Sequence, residues 1–315
     1  MALKIGLALG SGAARGWAHI GVIRALQKYD IQPDVVCGCS IGAVVGAAYA
    51  AGSLDRLEAW VTSLTRLEMA KYAELSFRSG LIDKARLNEG FVQNICANDS
   101  NIEDFDKAYG AVATDLHSGR EVWFTNGNAL TSIWASMALP GLFAPVFFEE
   151  KWLVDGGLVN PVPISMCRSL GADVVIAVDL NADIIGKHRR GILESSHIEE
   201  VKKQPLDIND KRDADTPFGS LRNTFFDYSA QFFPNLQKEQ APQAPGMFET
   251  IAGAVNIMQD RVGRSRMAGD PPDVLISPRL AHISLLELYR AEEAIQAGYD
   301  LTLQKLDQIR QAISA

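Results

Sequence analysis

Short apolar runs and helically spaced apolar residues alternate along the first 180 residues of the chain. Residues 4–9 (Lys-Ile-Gly-Leu-Ala-Leu) predict a strand, which Gly10-Ser11-Gly12-Ala13-Ala14-Arg15-Gly16 ends as a glycine-rich loop. Ile20, Ile23 and Leu26 then recur near a spacing of 3.6, predicting a helix over 18–28. Residues 33–37 read as a short buried strand and 41–51 as a helix built almost wholly from small residues. Amphipathic helices are expected over 54–67 and 84–96, and a strand pair over 109–115 and 120–124 around His117-Ser118-Gly119. A helix over 129–138 stops at Pro140-Gly141, and a strand over 151–154 runs into Asp155-Gly156-Gly157. Residues 172–180 are almost continuously apolar, the pattern of a central strand covered on both faces. Strands and helices in alternation argue for an α/β sandwich.

The pattern changes after residue 183. Residues 187–245 are polar and charged, with prolines at 205, 217, 234, 242 and 245. Phe218, Phe225, Phe226, Tyr228, Phe232 and Phe233 interrupt that polarity. Two readings follow: a long surface excursion pinned by its aromatics, or a lid that contacts lipid. Regular structure is expected to resume with a helix over 247–267, a strand over 273–277 and a long amphipathic helix over 285–313 that breaks near Gly298. The organisation expected is a catalytic core over 1–182, the excursion over 183–246, and helices and a strand over 247–315 that complete the same domain.

Composition narrows the function classes. The 315 residues are 47% hydrophobic and 22% charged, as in soluble globular proteins. The net charge of −8 argues against nucleic acid as a partner. The cysteines, Cys37, Cys39, Cys96 and Cys167, form no C-x-x-C pair. Buried free thiols in a reducing compartment are expected, and no metal site. Residues 1–5 enter a strand without a signal-peptide pattern, and residues 41–51 are too few to span a bilayer. The expected location is cytoplasmic, with membrane contact at most peripheral.

Four features carry candidate chemistry. Gly38-Cys39-Ser40-Ile41-Gly42 matches G-x-S-x-G, the turn that lifts a nucleophilic serine between a strand and a helix. Ser40 would then stand at a helix N-terminus, whose dipole favours developing negative charge. The loop from Gly10 to Gly16 offers backbone amides for an oxyanion, with Arg15 as fixed charge or brace. Asp155, with Gly156 and Gly157, places a carboxylate on a sharp turn at a strand end. The apolar run around Leu139, Pro140, Leu142 and Phe143 could line an acyl pocket. The order Ser40, Asp155, His282 fits the α/β-hydrolase order, but that fold places its elbow later, after a central strand. His19 reads as a packing or capping residue. A Ser–Asp pair without histidine is the better solution.

These motifs, in this order and spacing, resemble the patatin-like phospholipase family, and within it the bacterial RssA-type branch, over about residues 4–180. The resemblance implies a three-layer α/β/α sandwich with a mostly parallel central sheet. It implies a catalytic dyad at Ser40 and Asp155 and an oxyanion hole from the first loop, within Gly10, Gly12, Ala13, Ala14, Arg15 and Gly16. It implies hydrolysis of acyl esters, typically lipids, without metal or other cofactor. One departure stands out: Ser11 and Ala13 occupy positions where the family has glycine, and only Gly16 matches. Two other readings stay open. One is a dinucleotide-binding protein using Gly10-x-Gly12, with Asp30 or Asp34 near the acidic position. The other is a regulatory or scaffolding protein on a hydrolase fold. Oligomeric state and the natural lipid are not encoded in these motifs.

Overall fold

The computed structural model describes residues 3–76, 80–82, 84–183 and 247–314. The expected excursion, with its lid reading, lies outside these residues apart from Asp183. From the N-terminus, β1 (Ile5–Leu9) leads through a 3-10 turn, Ala13–Trp17, to α1 (Ala18–Lys28). β2 (Val35–Cys39) is followed by α2 (Ile41–Ala50), α3 (Leu54–Ser63) and α4 (Arg66–Tyr72). A small hairpin of β3 (Ala73–Ser76) and β4 (Gly80–Ile82) precedes α5 (Lys84–Asn94). Then come β5 (Ala108–Asp115), β6 (Glu121–Phe124), α6 (Ala129–Ser136), β7 (Val146–Phe148) and β8 (Lys151–Asp155). After α7 (Ile164–Ser169) and β9 (Val174–Val178), the C-terminal part supplies α8 (Met247–Gly269), β10 (Val274–Ile276), α9 (Ala291–Gln304) and α10 (Leu306–Ser314).

The main sheet runs β10-β9-β1-β2-β5-β8-β7, with β6 also paired to β5. The pairs from β10 to β5 are parallel, while β6, β8 and β7 join antiparallel at the other end. Helices cover both faces, as the sandwich expectation required. The period of two sorts each central strand between two cores. Leu7, Leu9, Ile176 and Val178 face the core with α1, α2 and α6. Ala8, Val175 and Ala177 face the core with α7. This is why β1 and β9 read as continuous apolar runs: neither side meets water. Each fully buried leucine or isoleucine here contributes roughly 1.5–3 kcal/mol. All four cysteines are free and buried, as expected. Among the described residues, no helix is long and apolar enough to cross a membrane.

Three expectations need correction. The single helix over 54–67 is two helices, α3 and α4, separated by Leu64 and Thr65. β7 and the β3–β4 hairpin had no predicted counterpart. The C-terminal helix breaks at Lys305, which caps α9, and not near Gly298. Gly298 instead sits inside α9 where the helix crosses α1: a Cβ there would stand 2.1 Å from the Ala18 carbonyl oxygen. The residue that looks like a helix breaker is a contact point between helices.

Candidate active site

Strand register brings the two halves of the site together. Cys39 on β2 pairs with Val112 on β5, so Ser40 leaves the sheet one residue further on. The next residue of β5, Ala113, pairs along that same edge with Asp155, the last residue of β8, while β6 takes the opposite edge. The C-terminal ends of β2 and β8 thus abut along one edge of β5, and two residues far apart in sequence meet there. Ser40 Oγ donates a hydrogen bond to Asp155 Oδ2 at 2.6 Å.

The elbow is built as its glycines required. Ser40 has φ 56° and ψ −122°, in the left-handed half of backbone space. A Cβ at Gly38 would lie 2.3 Å from the Gly42 carbonyl oxygen, and one at Gly42 would lie 2.1 Å from that of Leu9. Strain of this kind costs on the order of 1–3 kcal/mol and persists only where surroundings hold it. Here the Ser40 N–H donates to the buried Ser136 Oγ at 2.9 Å. Ser40 heads α2, so its hydroxyl sits at the positive end of the helix dipole.

Asp155 is fixed on every side. Its N–H donates to Ala138 O at 3.0 Å, and its own carbonyl accepts from Thr114 Oγ1 at 2.8 Å. Oδ1 accepts from the Gly157 N–H at 2.7 Å, leaving Oδ2 for Ser40. The residue is 1% exposed. Burial pushes its carboxyl pKa up to about 6, against the opposing pull of the Ser40 and Gly157 hydrogen bonds.

The glycine-rich loop resolves into spent and free donors. Gly10 N–H donates to Val178 O, Ser11 N–H to Pro161 O, Ala14 N–H to Leu285 O and Arg15 N–H to Gly12 O. Gly16 lies inside the 3-10 turn. Among the described residues, the amides of Gly12 and Ala13 are the loop donors left without a protein acceptor. The six-residue expectation for the oxyanion hole therefore narrows to these two. Ala13, with φ 48°, lines the same cavity as Ser40. Arg15 is buried and acts as a brace: its Nε donates to Gly12 O at 3.1 Å. Burial lowers its pKa to about 10, which still leaves it charged, with Asp183 and Asp179 opposing the shift.

Ser40 opens onto an apolar cavity of about 770 Å³, counting the space that opens to solvent. Leu139, Leu142 and Phe143 line it, as the sequence suggested. Pro140 does not: it is exposed on the loop after α6. Trp60 and Leu64 of the α3 end, Phe91 of α5, and Leu285, Leu286 and Leu288 add walls that no motif marked. Ser136 and Thr114 are likewise unmarked, because a single hydroxyl in an apolar run carries no spacing signal.

Neither histidine weighed as a base reaches the pair. His19 is buried in α1, its Nε2 against Gly10 O at 2.8 Å, and desolvation lowers its pKa to about 4. His282 lies exposed beside Glu293, Nε2 to Oε1 2.6 Å. Among the described residues, no group of three or more His, Cys, Asp or Glu side chains is gathered as a metal ion would need.

Comparison with known proteins identifies the family. The family model described as patatin-like phospholipase matches residues 7–168. An uncharacterized NTE family protein of Mycobacterium tuberculosis is 34% identical over 96% of this chain and 91% of its own. Lysophospholipase NTE1 of Pyricularia oryzae is 28% identical over 98% of this chain, which spans 19% of that longer protein. Among solved structures, VipD from Legionella pneumophila aligns with a TM-score of 0.45 at 13% identity, covering 97% of this chain and 67% of that one. The span of the family match, together with the mycobacterial relative, establishes that this chain belongs to the patatin-like phospholipase family.

Proposed function

We propose that the protein is a serine acyl hydrolase of lipid esters working through a Ser40–Asp155 dyad. The observation that carries this reading is the 2.6 Å hydrogen bond from Ser40 Oγ to a buried carboxylate at the edge of an apolar cavity. Asp155 Oδ2 takes the Ser40 proton as Oγ attacks the acyl carbonyl carbon. The carbonyl π electrons move onto oxygen, and the Gly12 and Ala13 amides hold that oxyanion. Collapse of the tetrahedral species breaks the ester C–O bond, and the alcohol leaves with the proton from Asp155. Asp155 then deprotonates water, which attacks the acyl-enzyme. The fatty acid departs and Ser40 recovers its proton.

An aspartate is a weak base in water. A carboxyl titrating near 6 is better matched to proton transfer at neutral pH than one near 3.8. The apolar lining of the cavity supports an acyl chain as the group transferred, since each buried methylene adds about 0.8 kcal/mol to binding. The lysophospholipase name of the fungal relatives supports a substrate with one such chain. No metal or other cofactor takes part in this mechanism.

Labelling with a fluorophosphonate probe and a nitrophenyl ester series of rising chain length tests the reading. Wild type is expected to label at Ser40 and to prefer longer chains, and Ser40→Ala to lose both labelling and turnover. Ester turnover that survives in Ser40→Ala would refute it. A folded, unlabelled wild type would favour a scaffolding role.

A further inference from the structure

The two free amides of the glycine loop are aimed by what grips the carbonyls of their own peptide units. In a trans peptide, C=O and N–H point in opposite directions, so fixing one oxygen fixes the donor behind it. The Gly12 N–H shares its peptide with Ser11 O, which accepts from Asn181 Nδ2 at 3.3 Å. The Ala13 N–H shares its peptide with Gly12 O, which accepts from Arg15 Nε at 3.1 Å and from the Arg15 N–H at 3.2 Å.

Both grips lead to one helix. Arg15 Nη2 donates to Asn256 Oδ1 of α8 at 3.2 Å. Ser11 Oγ donates to Gln259 Oε1 of α8 at 2.9 Å and accepts from Asn181 Nδ2 at 3.3 Å. Asn256 and Gln259 are three apart, so they share a helix face. Gln259 also touches the other half of the site. A Cβ on Gly157, whose N–H holds Asp155, would lie 2.4 Å from Gln259 Nε2. Ser11, Asn181 and Gln259 are all buried.

We propose that Asn256 and Gln259 of α8 are positioning residues that set the direction of the oxyanion donors, and that Ser11 is the contact through which Gln259 does so. The departure from glycine at position 11 is thereby given a role: its hydroxyl turns away from substrate and ties the loop to α8. The proposal rests on the Ser40–Asp155 reading above. It predicts that damage to this face of α8 impairs turnover more than substrate binding, because an oxyanion forms only in the reaction.

The test compares Gln259→Met, Gln259→Glu and Asn256→Ala with wild type. Each is assayed for kcat and KM on a short-chain nitrophenyl ester, for the rate of fluorophosphonate labelling, and for melting temperature. Concentrations are corrected to the folded fraction. Gln259→Met and Asn256→Ala are expected to lower kcat and the labelling rate about tenfold or more, with KM within twofold. Gln259→Glu retains an acceptor for Ser11 and is expected to recover much of the loss. Ser11→Ala combined with Gln259→Met should be little worse than Gln259→Met alone, since both remove one contact. Wild-type kcat and labelling in folded Asn256→Ala and Gln259→Met would overturn the proposal while leaving the dyad standing. An unlabelled wild type whose turnover survives Ser40→Ala would remove the reading beneath it.

Discussion

Asp155 is placed where chemistry and stability pull in opposite directions. Its pKa lies near 6, above the ordinary aspartate value of 3.8, because burial penalises the charged form. In the proposed mechanism the base must be ionised, so kcat/KM is expected to be full above this value and to fall tenfold per unit below it. An acid limb with its midpoint near 4 would contradict the assignment. The same shift has a sign for folding. A group whose pKa is raised in the folded state favours folding fully at pH below about 4, and that contribution is lost as pH rises through about 6. At pH 8 the ionised carboxylate therefore costs about 2–3 kcal/mol relative to a neutral group. Asp155→Asn should abolish turnover yet raise the melting temperature at pH 8, with the gain shrinking toward pH 4.5. Ser40 and Asp155 were legible together: neither glycine-bearing turn is specific alone, but their order and spacing with the glycine-rich loop are. Ser136, which holds the Ser40 amide, was not, because nothing local separates it from any other serine near a helix end.

At the scale of elements, period carried most of the prediction and turn chemistry failed where it was unusual. α1, α2 and β9 show strong periodicity or an unbroken apolar run and were found within a few residues. The β7–β8 hairpin was missed because its turn is Glu149-Glu150, with φ 45° and 62°. That geometry normally announces itself with asparagine or glycine. Gly298 misled in the opposite way, since a helix-interior glycine reads as weakness until its neighbour is seen. Two helical glycines make the contrast testable. Gly298→Ala should destabilise by about 1–3 kcal/mol, because the new methyl meets the α1 backbone. Gly253→Ala in α8 meets nothing within 4 Å among the described residues and should stabilise by roughly 0.5–1 kcal/mol. Equal and opposite effects are not required, but two shifts of the same sign in chemical denaturation would refute this account.

At the scale of the molecule, the sandwich was legible because alternating strands and helices admit few arrangements. Strand order was not, since period says which face is buried and nothing of which neighbour a strand takes. The order observed has a consequence for how the chain can be made. β1 lies in the middle of the sheet, with β2 on one side and β9 on the other, Ile5 opposite Val174. The family match ends at residue 168, before β9 begins. A chain terminated at 168 should therefore leave an open edge on β1 in the middle of the sheet, and be recovered insoluble and inactive. Soluble, active material of that length would disprove this. During synthesis, β1 stays half-paired until β9, far downstream, has been made. Long-range closure of this kind is slow and exposes strand edges to other chains. Assembly of the sheet thus depends on protection of β1 until β9 is available to pair with it.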